Sequence, residues 1–263
     1  MSPASGAATL AVRRSSRLVA WVRAWRAGLI PYDAVVDEVA GDEEHLVADA
    51  PGTWTDVPLR EGLTIFAKLH PDEIRLVLPA PGDPRGLPGP GTPFTGAALL
   101  AGEGVVAGQI GLVPEVQTYV SGSGDTFFTV LWRCHALPEP PRSSGDEPSP
   151  AEAESELAAA LAEATARLSR LDVAQWRPEL GEALATLRRQ DFGCELPPVY
   201  DPRARRLFAR ASVLDRMLAL ADQSAPGGAV NVHEARQRDE ALRPLLAACR
   251  RALVAACNAR LVG

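Results

Sequence analysis

Thirteen residues near the middle of the chain, Pro138–Pro150 (PEPPRSSGDEPSP), constrain the fold more than any other feature. Five are proline and three are serine, with acidic residues between them. Such a stretch has no core to join, so it is expected to run extended and solvated as a linker. The 263 residues are then divided into two parts, each long enough to bury a core of its own. The boundaries this implies are a tail over 1–12, an α/β domain over 13–137, the linker over 138–150 and a helical bundle over 151–263.

The two parts differ in charge. Residues 1–150 carry 11 Lys and Arg against 18 Asp and Glu, whereas 151–263 carry 16 against 15. The net charge of −6 repels nucleic acid and anionic membranes at long range. All but one of the 27 cationic side chains are arginine, the exception being Lys68. With abundant Ala, Gly and Pro, this is the codon usage expected of a high-GC bacterium, and lysine chemistry would rest on Lys68 alone. The cysteines, Cys134, Cys194, Cys249 and Cys257, form no C-x-x-C pair and suit thiols in a reducing cytoplasm. Arg13, Arg14, Arg17, Arg23 and Arg26 interrupt every apolar run near the start, which argues against a signal peptide. No stretch reaches the roughly 18–20 apolar residues of a membrane span.

In the first part, Leu18, Val22, Trp25 and Leu29 follow the helical repeat, with Ser15 or Ser16 as the expected cap. A second short helix is expected from Pro31 to Gly41. Residues 57–69 alternate like a strand but also fit a helix, and Asp56 as cap with Pro58 in the first turn favours the helix. Ile74–Leu78 reads as a strand and Phe94–Ala101 as a short helix capped by Thr92. After Gly108 the pattern is antiparallel β: Glu115–Val120 and Thr126–Ala136 flank the turn SGSGD. In the second strand, Phe128, Val130, Trp132 and Cys134 share the core-facing side. The fold class expected is an α+β or α/β N-terminal domain with a small mixed sheet, followed by an all-α antiparallel bundle.

Four helices are expected in that bundle. Their stripes are Leu157–Leu171, Trp176–Leu187, Leu207–Ala221 with Asp201 as cap, and Leu242–Cys257, the last bent or split by Pro244. Ala225–Asn231 reads as a turn.

Three sets of residues are candidates for function. The loop 79–93 links a strand to a helix N-terminus, the position where open α/β sheets bind ligands. Its candidates are Asp83, Arg85, Gly86 and Thr92, with Arg85 able to grip a carboxylate or phosphate. Neither G-x-G-x-x-G nor the Walker pattern is present, and six prolines remove backbone donors, so a stiff connector is the stronger expectation. Arg203, Arg206 and Arg210 on one helix, and Arg23 and Arg26 on another, are the candidates for contact with nucleic acid or a partner. SGSGD lacks the following helix that a phosphate cradle needs, so it is a hairpin turn. His45, His70, His135 and His233 have no metal-ligand spacing, and no nucleophile motif is present; neither metal nor cofactor is expected.

The function these features favour is a non-enzymatic adaptor or regulatory protein acting through a protein partner or a homo-oligomer. A small-molecule site in the 79–93 loop is the alternative, and nucleic-acid binding stands third.

Overall fold

The computed structural model describes residues 13–122, 124–138, 147–170, 196–223 and 232–262. The tail over 1–12, most of the linker, the helix over 176–187, the turn over 225–231 and Cys194 lie outside the described residues. The chain divides into two compact units.

The first unit is built on a mixed six-stranded sheet. Its elements are α1 (Arg14–Arg26), α2 (Tyr32–Ala40), β1 (Glu44–Ala48), β2 (Val57–Pro58), α3 (Leu59–Gly62), β3 (Ile74–Val77), α4 (Pro93–Ala101), β4 (Gly104–Ala107), β5 (Ile110–Val120) and β6 (Thr126–Ala136). The spatial order is β2-β1-β6-β5-β4-β3. Every neighbouring pair is antiparallel except β1 and β6, which run parallel with Leu46 beside Leu131. β6 is therefore central, and Val130, Leu131 and Trp132 are buried in succession, so both of its faces are covered there. The expected inward set holds for Val130, Trp132 and Cys134, whereas Phe128 near the hairpin tip is only half-buried.

The sheet is packed on both sides. On one face the ring of Phe94, from α4, sits against Val77, Val106, Val113 and Leu137. On the other face α1 lies along β3, β4 and β5, presenting Leu18, Val19 and Val22 to the side where Leu76, Val105 and Leu112 alternate inward. Gly111 makes the first packing possible. A Cβ built there would lie 2.3 Å from a ring carbon of Phe94, closer than atoms can approach.

Several local expectations need correction. α1 is not capped by Ser15 or Ser16, both of which are buried in its first turn. Its N-terminus is satisfied by Glu103, which accepts from the Ser15 amide at 2.8 Å across 88 positions of sequence. Reciprocally, Arg13 donates to the Gly102 carbonyl at the C-terminus of α4 at 3.0 Å. Each helix end is thus closed by a side chain of the kind its dipole favours, acidic at the N-terminus and basic at the C-terminus. Asp56 does not cap the 57–69 segment either. Val57–Pro58 pairs with β1, and only then does the backbone coil through α3 and a 3-10 turn over Leu63–Phe66. Thr92 does cap α4, accepting from the Thr95 amide at 3.1 Å.

The second unit contains α5 (Pro150–Arg170), α6 (Pro202–Gln223) and α7 (Val232–Cys257), which pack on one another. Ser149 and Glu152 form a reciprocal cap at the start of α5, with Pro150 in the first turn. Leu157, Leu207, Phe208, Leu245, Cys249 and Leu253 are buried. Pro244 does not split α7, which is one helix from Val232 to Cys257. The carbonyl that loses its partner belongs to Glu240, an exposed residue that water can reach.

Leu196–Asp201 and the chain end from Arg260, expected with the helices, belong to the sheet unit. Tyr200 bridges to Leu261, and its buried hydroxyl donates to the Ala20 carbonyl of α1 at 3.4 Å. Gly111→Ala should therefore destabilise the sheet unit by roughly 1–3 kcal/mol through overpacking. A double-mutant cycle with Phe94→Leu, measured by chemical denaturation, should show strongly less than additive losses.

Candidate functional site

The 79–93 loop is held together by its own residues. Ala80 and Asp83 exchange both backbone hydrogen bonds, at 3.0 and 2.8 Å, around Pro81 and Gly82. Arg85 forks onto Asp83, with Nε at 2.7 Å from Oδ1 and Nη2 at 3.0 Å from Oδ2. Gly86 has φ +81°, and a Cβ there would fall 2.7 Å from a methyl of Val77. The Thr92 hydroxyl caps α4, and Thr95 Oγ1 donates back to the Gly89 carbonyl at 2.6 Å. Asp83 and Arg85 are thus brought together as a surface pair, while Gly86 and Thr92 shape the loop and the helix start.

The arginines separate into two groups. Arg23 is 2% exposed and reaches Asp72 at 3.1 Å. Arg26 donates to the Leu69 carbonyl at 3.1 Å and lies over the Trp25 ring. Both fasten α1 to the chain around 69–72. On α6, Arg203 pairs with Glu154 at 3.5 Å, and Arg206 and Arg210 lie exposed.

A buried polar relay crosses the core beside β6. The Trp132 indole N–H donates to His45 Nδ1 at 3.1 Å, which leaves the imidazole hydrogen on Nε2. That nitrogen faces Glu43 at 3.5 Å, and Glu43 is gripped through both oxygens by Arg14. Burial alone would push the Glu43 carboxyl up. Hydrogen bonds from His45 and Arg14, with the Arg14 charge, outweigh burial and hold it at about 2.

On the opposite face of the sheet, Arg133 takes Glu115 in a fork at 2.8 and 3.0 Å and Asp49 at 2.8 Å. Asp49 is the one non-glycine among the described residues with positive φ, at 56°, so the end of β1 is turned to bring this carboxylate to the guanidinium. The Arg133 hydrogen bond pulls the Glu115 carboxyl down. Burial and the Arg133 charge lower His135. Burial pushes the neighbouring Cys134 thiol up to about 12, which makes it a poor nucleophile. Among the described residues no group of three His, Cys, Asp or Glu is placed to hold a metal ion. These clusters fasten strands and helices, and their side-chain charges are spent on one another.

The unspent surface is the β5–β6 hairpin. β4 pairs with β5 only over Ile110–Leu112, and β1 pairs with β6 only over Thr129–Arg133. The outer edge of β5 is therefore open from Val113 on, and Thr118–Val120 with Thr126–Phe128 extend past both outer neighbours as a two-stranded arm. The arm is closed by Ser121, whose amide donates to the Asp125 carbonyl at 2.8 Å. Val116 is 41% exposed, Tyr119 54%, Val120 69% and Phe127 57%, so apolar side chains on both faces meet water. Tyr119 and Phe127 are cross-strand partners. The sequence had identified the hairpin but not its exposure; the absence of Lys and Arg over 113–128 was the signal available.

A mixed sheet with flanking helices and two units define a two-domain α/β protein. The chain belongs to the Rv1486c-like protein family: the family's N-terminal domain matches residues 15–147 and its C-terminal domain residues 151–254. It is 29% identical to "Uncharacterized protein Rv1486c" of Mycobacterium tuberculosis, over 93% of this chain and 96% of the relative. It is 27% identical to "Uncharacterized protein ML1804" of Mycobacterium leprae over the same shares. No solved structure matches. No helix among the described residues is long and apolar enough to cross a membrane.

The relay makes stability sensitive to acid. Glu43 has a folded pKa of about 2 against an ordinary 4.5, so its stabilisation is complete above the unfolded value and drains as pH falls toward the folded one. The shift corresponds to at most about 3 kcal/mol, less what solvent screens for a side chain 26% exposed. Denaturation followed by tryptophan fluorescence should show a loss between about pH 5 and pH 2 that Glu43→Gln flattens.

Proposed function

We propose that this chain is a non-enzymatic adaptor or regulatory protein that works in the cytoplasm by protein–protein contact through the β5–β6 hairpin. One observation carries the proposal: Val116 on the open edge of β5, and Tyr119, Val120 and Phe127 on the arm beyond it, are exposed with no strand alongside that edge among the described residues. Exposed apolar side chains gathered at one place cost solubility, and chains keep them where something covers them. Aromatic side chains held on a stiff ribbon also lose little conformational freedom when they are covered, which is what a contact surface requires.

The polar clusters support the same reading by their occupancy. Arg133, Arg14 and Arg23 engage carboxylates of the same unit, so the chemistry-bearing side chains are tied into structure. Buried thiols at Cys134, Cys249 and Cys257 suit a reducing compartment. We further infer that the C-terminal part is an all-α antiparallel bundle. α5, α6 and α7 are each amphipathic and mutually packed, which supports this reading.

A photo-activated benzoylphenylalanine replacing Phe127 should trap a discrete protein adduct when cells expressing the full chain are illuminated. The same replacement at exposed Leu100, on α4, serves as the control and should trap none. Equal or absent trapping at the two positions would overturn the proposal.

A further inference from the structure

We propose that the hairpin binds a second copy of this chain, with β5 pairing edge to edge with β5 of the other copy; the inference rests on the protein-contact role above and names the partner. The backbone sets the terms. Because Ser121 bonds to Asp125 across the hairpin, the odd-numbered residues of β5 direct their N–H and C=O toward β6. Even-numbered residues direct theirs to the other side. Ile110 and Leu112 meet β4 there, and Pro114, Val116, Thr118 and Val120 meet no strand among the described residues. Pro114 has no N–H, so the open donors are those of Val116, Thr118 and Val120.

That edge lacks the features that keep strands apart. Natural edges carry lysines, inward charges or prolines along their exposed length. Here Pro114 guards only the base, and Val116–Val120 (VQTYV) contains no charge. The rest of the unit is acidic, so an uncharged strand is where two like-charged copies can approach with least repulsion.

The same five residues are complementary to themselves. An antiparallel pair with its two-fold axis at Thr118 sets Val116 opposite the second copy's Val120, and Thr118 opposite Thr118. All three open residues then exchange both hydrogen bonds, and Pro114 stays outside the ladder. On one face valine meets valine, a pairing of β-branched side chains that favours sheets. On the other, Gln117 lies beside the second copy's Tyr119. Those two groups are already chemically matched, since the Tyr119 hydroxyl donates to the Gln117 carbonyl oxygen within one chain at 2.5 Å. The symmetry is isologous and closes at two copies. So short an edge covers less than the roughly 800 Å² per partner of a standard interface, so the dimer should be weak and concentration-dependent.

Sedimentation equilibrium on the purified full chain should show the 27.9 kDa monomer passing to a dimer as concentration rises. Thr118→Pro removes an outward N–H that the monomer does not use, so its circular dichroism should match the parent while its dimer Kd rises at least tenfold. Under mild oxidation, Val116→Cys mixed with Val120→Cys should form a disulfide between positions 116 and 120, mapped by mass spectrometry. Neither variant should link to itself through the new cysteine. A parent that stays monomeric to about 0.5 mM, a Thr118→Pro protein that dimerises as well as the parent, or a mixed pair that does not cross-link would each overturn the inference. Its failure is separable from that of the protein-contact role: a Phe127 adduct holding a different protein, with a monomeric purified chain, sinks the self-pairing alone. No adduct at Phe127 in cells sinks the contact role itself.

Discussion

An indole N–H inside a core needs an acceptor, and the first unit is arranged around that demand. Trp132 is fully buried on the central strand, and His45 of β1 meets its N–H. An unmet donor there would cost about 1–3 kcal/mol, so the parallel pairing of β1 with β6 is held in one register. The consequence spreads outward: His45 faces Glu43, and Glu43 binds Arg14 of α1. One buried aromatic thus connects the central strand to the first helix through three polar side chains.

What the sequence made legible is local. The hairpin, the Thr92 cap of α4 and the strand ending at Val77 rest on contacts within a few residues, where periodicity and turn chemistry suffice. β1 was missed because five residues starting in an acidic run carry too little pattern, and its strand status comes from β6, more than 80 residues away. The cap of α1 was misassigned for the same reason. Ser15 and Ser16 are ordinary cap residues, but Glu103 accepts from the helix end in their place, and both serines lie in the core. Burial pushes the Glu103 carboxyl up, and Arg13 and the hydrogen bonds from Ser15 offset part of that rise. Tyr200 and Leu261 were assigned to the helices on sequence position alone, and no local signal shows that they return to the sheet unit.

The candidate sites show how many structural tasks arginine takes on in a chain rich in it. Where almost every cation is arginine, the same side chain must serve as helix cap, strand clamp and solubiliser. Arg13 closes a helix C-terminus, Arg23 and Arg26 fasten a helix, and Arg133 clamps two carboxylates. A guanidinium suits these tasks because its rigid fork fits carboxylates and stray carbonyls. Clustering of arginine in the sequence therefore reports packing as readily as binding, and only the partner atoms separate the two. The Asp83–Arg85 pair makes the same point, since two residues apart on a tight loop they neutralise each other.

The hairpin is informative because it departs from this economy. Elsewhere on the sheet Arg14 and Arg133 are matched by carboxylates, and Val106, Leu112 and Val113 are covered by α1 or α4, although Trp54 and Leu100 also lie exposed off the strands. At Val116–Val120 and Phe127 neither device is present, although a single lysine on the outward edge would have protected it. Strand propensity alone does not require such an arm, because β5 and β6 would satisfy their pairing with β4 and β1 if β5 ended near Gln117 and β6 began near Thr129. The added length orders roughly a dozen residues at about 1–2 kcal/mol of backbone entropy each, with little core to offset it. An isolated two-stranded ribbon is marginal in water. The proposed contact role supplies the term this arm lacks, since a partner covering its edge and exposed rings would add the burial that two strands alone do not provide.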